Sequence, residues 1–335
     1  MSDPFASLSD DERRLLKRSR RPRTVNPMLA VLTDDRFSDP GWIFERKLDG
    51  VRCIASRSGN EVRLVSRNGL SLNERYPELV EALERETRDF VLDGEAVAFA
   101  GSRTSFARLA HRHRKRSRRD PSRSRIPVFF YVFDLLHLDG HDTTALPLRA
   151  RKAVLRRALG FHGRVRFTPH RNREGEKAFR DACRAGWEGL IAKRADAPYK
   201  RGRSADWLKW KCNREQELVV GGFTKPRGSR VEFGALLLGY FANGDLRYAG
   251  KVGTGFDRET LRDLGARLRR LRRKGSPFAD EDIPARDVTW VTPRLVAQIG
   301  FTEWTGDGRL RHPRFLGLRD DKDPREVVRE EPVGS

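Results

Sequence analysis

The chain is poor in cysteine: Cys53, Cys183 and Cys212 are the only three in 335 residues. They form no CxxC pair and are odd in number, which argues against a disulfide framework and a structural zinc site. Seven histidines show no HExxH spacing. No apolar run reaches the roughly 18 residues that a membrane span requires. Charge occupies the N-terminus where a signal peptide needs an apolar core. The expectation is an intracellular protein in a reducing compartment. Acid is also scarce beside base, with 47 Asp and Glu against 69 Lys and Arg, a net charge of +22. An excess of that size points to a polyanionic partner, because phosphate backbones are bound largely by neutralising their charge. A merely soluble basic enzyme from an Arg-favouring genome is the plainer account. Hydrophobic residues make up 37%, enough for two domains with separate cores.

Residues 1–25 carry Arg13, Arg14, Lys17, Arg18, Arg20, Arg21 and Arg23 among few apolar residues and read as a flexible basic arm. Packed character starts at Val25 and continues in strand-like runs at 42–45, 51–55, 62–65 and 90–93. Helical periodicity falls at 77–86 and 148–159. Irregular alternation of strands and helices predicts an α+β domain over 26–213 rather than a regular parallel winding. A second basic run, 111–125, holds eight Arg and Lys against one Asp and precedes a strand at 128–133. It reads as a surface loop that either touches nothing or positions a nucleic-acid backbone. Beyond Asn213, strand-like runs at 217–222, 235–241 and 246–252 are followed by Leu261, Leu264, Leu268 and Leu271 on one helix face and a strand at 295–304. Several short strands with one helix fit a small oligonucleotide-binding (OB) barrel over 214–325, with a tail at 326–335.

The sharpest local pattern is Phe44-Glu-Arg-Lys47-Leu-Asp49-Gly50-Val-Arg52. A lysine at a strand end, followed by Asp, a permissive Gly and an Arg, can present an amine to a phosphate. With a reference pKa near 10.4, such an amine is only about 0.04% neutral at pH 7. A nucleophilic Lys47 therefore needs desolvation or neighbouring cations, and a basic pocket is expected to supply the cations. A plain strand-to-turn salt link between Lys47 and Asp49 would explain the pattern equally well. Further elements follow in order: Ser66-Arg67-Asn68-Gly69, Asp93-Gly94-Glu95, Phe130-Tyr-Val-Phe133-Asp134, Glu188-Gly189-Leu-Ile-Ala-Lys193 and Trp207-Leu-Lys209-Trp-Lys211. Lys209 and Lys211 alternate on one strand and so share a face that can reach a phosphate; the plainer account is a solvated face with Trp207 and other apolar residues on the core side. Each element alone has a bland account: surface carboxylates for Glu95 and Glu188, core packing for Phe133.

The ordered set closely resembles the covalent nucleotidyltransferase superfamily of ATP-dependent DNA ligases, RNA ligases and mRNA capping enzymes. The runs at 222–229, 233–240 and 251–256, and the tail Phe301-Thr-Glu-Trp-Thr305 with Arg311 to Lys322, look like the barrel of bacterial DNA ligases. The nearest likeness is to the ligase domain of ligase D, the bacterial non-homologous end-joining enzyme, over about 26–325. The resemblance implies a nucleotidyltransferase domain of antiparallel sheets with flanking helices, followed by an OB-fold domain. It also implies that Lys47 attacks the α-phosphorus of ATP to form a lysyl–AMP, with Lys209 and Lys211 at the phosphates. Glu95 would stand near ribose and metal, and Glu188 would help hold Mg²⁺, with Mn²⁺ as a substitute. Phe133 would stack on adenine, Glu45 would lie beside the base with its main-chain carbonyl, and Arg52 and Arg67 would contact ribose and phosphates. Asp49 would orient the lysine. Arg311, Arg319 and Lys322 would orient pyrophosphate or contact DNA.

Two departures accompany the likeness: Leu48 stands where many ligase D sequences have Trp, and the 335 residues are expected to hold no polymerase or phosphoesterase module. The expected partner is duplex DNA with nicks or ends, with Ku and separate repair polymerases or nucleases beside a monomeric, cytoplasmic, nucleoid-associated enzyme. Alternatives are an RNA ligase, a capping-type enzyme (which would carry Thr at the Leu48 position) and a non-catalytic nucleic-acid-binding protein.

Overall fold

The computed structural model describes residues 3–115, 126–226, 228, 231–280, 283 and 287–333. The ten residues 116–125 of the second basic run lie outside that set. Two compact units divide the chain, residues 1–212 with 331–335, and 213–330.

The first unit is built on two sheets. One runs Lys17–Arg18, His141–Asp142, Val128–Leu138, Phe90–Ala100, Val51–Ser58, Glu61–Ser66, with Val165–Phe167 added in parallel to Val128–Leu138. The other runs His170–Asn172, Trp42–Arg46, Gly189–Arg194, Gly202–Lys211, Met28–Leu32, antiparallel except for the last pair. Alternation in Glu61–Ser66 buries Val62, Leu64 and Ser66 while Glu61 and Arg63 meet solvent, as a half-buried strand requires. Phe90–Ala100 and Val128–Leu138 sit mid-sheet and are buried along most of both faces. Helix Pro77–Glu84 starts on proline, whose missing N–H costs nothing in the first turn, and buries Leu79 and Leu83. Helix Gly175–Arg184 buries Ala178, Phe179 and Ala182 in a cluster with Trp42, Phe44 and Trp210.

Two expectations change here. The flexible N-terminal arm is instead folded from Leu8 to Arg18. Ser9 and Glu12 form a reciprocal capping box on helix Asp10–Leu15, a device that satisfies two otherwise orphaned N–H groups. Leu8 is buried in the main core, and Lys17–Arg18 pairs with His141–Asp142. The cysteine count also misled: Cys183, at a helix end, and Cys212, just past a strand end, are disulfide-bonded with Cα atoms 5.3 Å apart. Parity leaves one cysteine over, and that one is the buried Cys53; bridging depends on where two Cα atoms come to lie.

In the second unit five antiparallel strands run Asp245–Val252, Leu236–Ala242, Arg214–Thr224, Val288–Phe301, Arg314–Leu318. Phe315 N donates to Thr254 O at 3.0 Å, joining the last strand to the residues just past the first and all but closing a barrel. Asp257 caps helix Arg258–Arg270 by accepting from Thr260 N, and Leu261, Leu264 and Leu268 enter the barrel core. Leu236 and Leu238 face that core while Leu237 joins a second cluster with Val219, Tyr248 and Phe278. Cover on both faces explains the unbroken Leu-Leu-Leu run. The architecture is that of an OB domain.

The disulfide closes a loop of sequence separation 29, worth about 3.5 kcal/mol on a chain-entropy estimate. Cys183→Ser should lower unfolding free energy by that order in urea titrations under oxidising conditions. Under a reducing agent the variant and the parent should converge; a gap that persists would refute the assignment.

Candidate active site

Lys47 continues the edge of strand Trp42–Arg46, its N–H donating to Gly189 O at 2.9 Å. Two nearby glycines pack tightly on other strands. A Cβ on Gly50 would stand 2.3 Å from Ala96 O, and one on Gly189 would stand 1.8 Å from Trp210 O. The packing brings Glu188 onto the amine, and Lys47 Nζ and Glu188 Oε1 form an ion pair with both side chains mostly buried. Burial presses the ammonium down, but Glu188, helped by Asp49 and Glu95, reverses this and holds Lys47 above the ordinary lysine range. The sequence reading expected neighbouring cations to lower that pKa. The immediate neighbours are carboxylates instead, and they keep the amine charged.

Across the ladder Ile191 stands opposite both Glu45 and Lys209, and Gly189 stands opposite Lys211. The two-residue repeat of a strand then puts Glu45, Lys47, Lys193, Trp207, Lys209 and Lys211 on one face. Trp207 therefore shares the lysines' face, which sets aside the plainer account of a solvated lysine face with Trp207 on the core side. Leu208 and Trp210 take the other side, against Phe44 and Phe179. Trp207 packs edge-on against Phe133 and Tyr199, each at 5.9 Å between ring centres.

From the other sheet, Arg52 and Glu95 stand opposite each other on neighbouring strands. Arg52 grips the fully buried Asp93 with two bonds of 2.5 and 2.6 Å and donates to Met28 O at 3.0 Å. Burial draws the guanidinium down, and the Asp93 carboxylate more than restores it, so Arg52 is held above its ordinary range. Tyr199 also donates to Asp93, at 2.6 Å. Phe133 is buried with Met28, Ile54 and Trp207, with the Arg52 guanidinium 4.6 Å from its ring centre.

Glu45 is buried and sits between two lysines, Lys152 at 2.5 Å and Lys193 at 2.6 Å. Burial would raise its carboxyl pKa, but Lys152 and Lys193 hold it below the ordinary value. Lys193 is pushed down to about 8 by burial and by Lys152, against the pull of Glu45 and Asp134.

Asp49 accepts from Phe106 N at 2.8 Å and its N–H donates to Thr104 at 3.1 Å, so it anchors the start of helix Phe106–Lys115. Arg67 lies in the turn that Ser66 N closes on Leu70 O, with Gly69 at φ +78°. In the second unit Arg311 pairs with Glu303 at 2.5 Å. Arg319 is bidentate to Asp321 at 2.9 and 2.8 Å. Lys322 lies 3.2 Å from Glu217.

Among the described residues no cluster of three or more His, Cys, Asp or Glu forms a ready metal cage. Glu188 Oε2, however, is buried with no hydrogen-bond partner. An orphaned carboxylate oxygen of this kind fits a hard divalent cation that takes its other ligands from phosphates and water, as Mg²⁺ does.

The family described as ATP dependent DNA ligase domain matches residues 27–211, and the ATP dependent DNA ligase C terminal region matches 229–322. The chain belongs to the ATP-dependent DNA ligases. Among their members, the multifunctional non-homologous end joining DNA repair protein LigD of Mycobacterium tuberculosis H37Rv is 39% identical over 313 residues, 91% of this chain and 40% of that protein. LigD of Pseudomonas aeruginosa PAO1 is 36% identical over 325 residues, 93% of this chain and 37% of that protein. The chain thus spans about two-fifths of these relatives. A solved structure described as mycobacterial DNA ligase D complexed with ATP and MES superposes with a TM-score of 0.65 at 36% identity, covering 91% of this chain and 98% of that one. The family match favours the DNA-ligase reading over the RNA-ligase and capping alternatives.

Sequence reading of this ligase missed Asp93, Lys152 and Tyr199 as parts of the site and gave Lys193 no role. One signal was present: Lys152 stands between Leu148 and Leu155 on the apolar face of helix Leu148–Ala158, where a charge needs a buried partner. Because the Glu45 carboxyl is held below its ordinary 4.5, its stabilisation is complete above that pH and is withdrawn as pH falls through the folded value. Glu45→Gln should cost about 3–5 kcal/mol at pH 7, since two buried ammonium groups lose their counterion. Its stability should also fall less steeply than the parent's below pH 4.5. Urea unfolding at a series of pH values measures both, and parallel acid limbs would contradict the pairing.

Proposed function

We propose that the chain seals 3′-hydroxyl/5′-phosphate breaks in duplex DNA through a lysyl–AMP intermediate on Lys47. What carries the reading is the placement of Lys47 beside Glu188, on a face shared with Lys209 and Lys211, in a family that uses ATP. The Lys47 nitrogen attacks the α-phosphorus; the bond to the bridging oxygen breaks and pyrophosphate leaves. The ammonium must first lose a proton, and Glu188 is the carboxylate in contact with it. Lys209 and Lys211 offset charge on the phosphates, work of positioning and electrostatics rather than acid–base chemistry. A 5′-phosphate oxygen then attacks the α-phosphorus and the P–N bond breaks, returning Lys47. Finally the 3′-hydroxyl attacks the activated 5′-phosphorus and AMP departs.

Glu95 and Glu188 would hold Mg²⁺, or Mn²⁺ in its place, which supplies charge neutralisation at the triphosphate. Arg52 and Arg67 serve ribose and phosphates, Phe133 and the Glu45 main chain serve adenine, and Asp49 orients the turn that carries the lysine. Arg311, Arg319 and Lys322 serve pyrophosphate or the DNA backbone. The named relatives are described as end-joining proteins, which supports breaks as well as nicks as substrates; Ku and separate end-processing enzymes would be the partners of such work.

Lys47→Ala should abolish the added AMP mass after incubation with ATP and Mg²⁺, yet retain partial sealing of pre-adenylated nicks; intact-protein mass spectrometry and a gel assay read the two. Adenylate on the alanine variant would refute the assignment. Replacing 116–125, which carries five arginines, by a Gly/Ser linker should weaken nicked-DNA binding. It should also flatten log Kd against log salt by about 0.9 per lost phosphate contact. An unchanged slope would remove the loop from the interface.

A further inference from the structure

Lys193, Glu45 and Lys152 form a buried chain of charges that neither the lysyl transfer nor the phosphate contacts require. Lys193 Nζ lies 2.6 Å from Glu45 and 4.2 and 4.0 Å from the ring centres of Phe133 and Trp207. On the other carboxylate oxygen, Lys152 Nζ also donates to Thr168 O at 3.0 Å and to Phe133 O at 3.4 Å. Phe133 is thus held twice, its ring by one ammonium and its main-chain carbonyl by the other. Glu45 ties the two together. All three side chains are almost wholly buried. Two cations share one anion, so the chain of charges keeps an excess positive charge in a place where apolar residues of similar volume are often as stable or more so. An arrangement of this kind suits orientation better than stability. Cations seated on aromatic faces gain more when desolvated, so the Lys193 contacts fix where the Phe133 and Trp207 rings lie.

We propose that Lys193, anchored through Glu45 to Lys152, is a positioning residue that sets Phe133 for the purine base and so contributes to choosing ATP over GTP. The inference rests on the reading above in which Phe133 meets the base. Without the ammonium, the ring keeps its apolar neighbours but loses the restraint on its tilt. Affinity for the base then suffers more than transfer at the phosphate does.

The test measures self-adenylation and self-guanylation by the full chain over a range of ATP or GTP concentrations. Parent, Lys193→Met, Lys193→Arg and Phe133→Ala are compared, with a thermal melt for each. In Lys193→Met the KM for ATP should rise about tenfold, by more than kcat falls, and the preference for ATP over GTP should shrink by a similar factor. Lys193→Arg, which keeps the charge, should recover most of both. Lys193→Gln gives the same reading should the methionine variant not fold. A lowered melting temperature with KM and nucleotide preference unchanged would reduce Lys193 to a structural role and overturn the proposal. If the parent takes no AMP, or if Phe133→Ala leaves KM for ATP unchanged, the failure lies in the underlying reading and the inference falls with it.

Discussion

The contact on which the rest depends is the pairing of one buried ammonium with one buried carboxylate, Lys47 with Glu188. Neither charge is stable alone at that depth, so each fixes the other. The segments that deliver them are joined by an antiparallel ladder, extended by the Lys47 N–H bond to Gly189 O. Gly50 and Gly189, beside the pair, pack closely on other strands: a Cβ at Gly50 would collide with Ala96 O and one at Gly189 with Trp210 O. The ladder between Trp42–Arg46 and Gly189–Arg194 then sets the register, and from it follows which side chains share the face with the nucleophile.

Around this pair the unit repeats one solution, a buried cation held by a buried anion. Asp93 holds Arg52, Asp134 holds Arg151 at 2.7 Å, and Glu45 holds Lys152 and Lys193. Such pairs contribute little net stability, but they hold planar and ammonium groups in fixed orientations. For the proposed work of placing phosphates and a purine, orientation matters more than stability.

Much of this was legible in the chain. Alternation and helical spacing located most long elements of both units, because burial on one face leaves a period that needs no tertiary knowledge. The ordered motifs picked out Lys47, Glu188, Lys209 and Lys211, and the structure brings all four to one region of one sheet. What failed depends on proximity. Cys183 and Cys212 meet because a helix end and a strand end converge, which counting cannot reveal. The odd position of Trp207, shared with Lys209 and Lys211, already spoke against a bland solvated face with the tryptophan on its far side. Carboxylates rather than cations surround Lys47 because the ladder register, not overall charge, decides who stands next to whom. The folded start of the chain had a local signal, Ser9 three residues before Glu12, that the density of arginines overshadowed.

The cross-link has a mechanical meaning. Cys212 follows Lys211 directly, and its N–H donates to Glu188 O at 2.9 Å, while its sulfur is tied back to helix Gly175–Arg184. The chain just before Asn213 is thus riveted within its own unit at the residue that follows Lys211. Any pull arriving along the backbone from beyond Asn213 is borne by that rivet, and Lys211 and Glu188 keep their places.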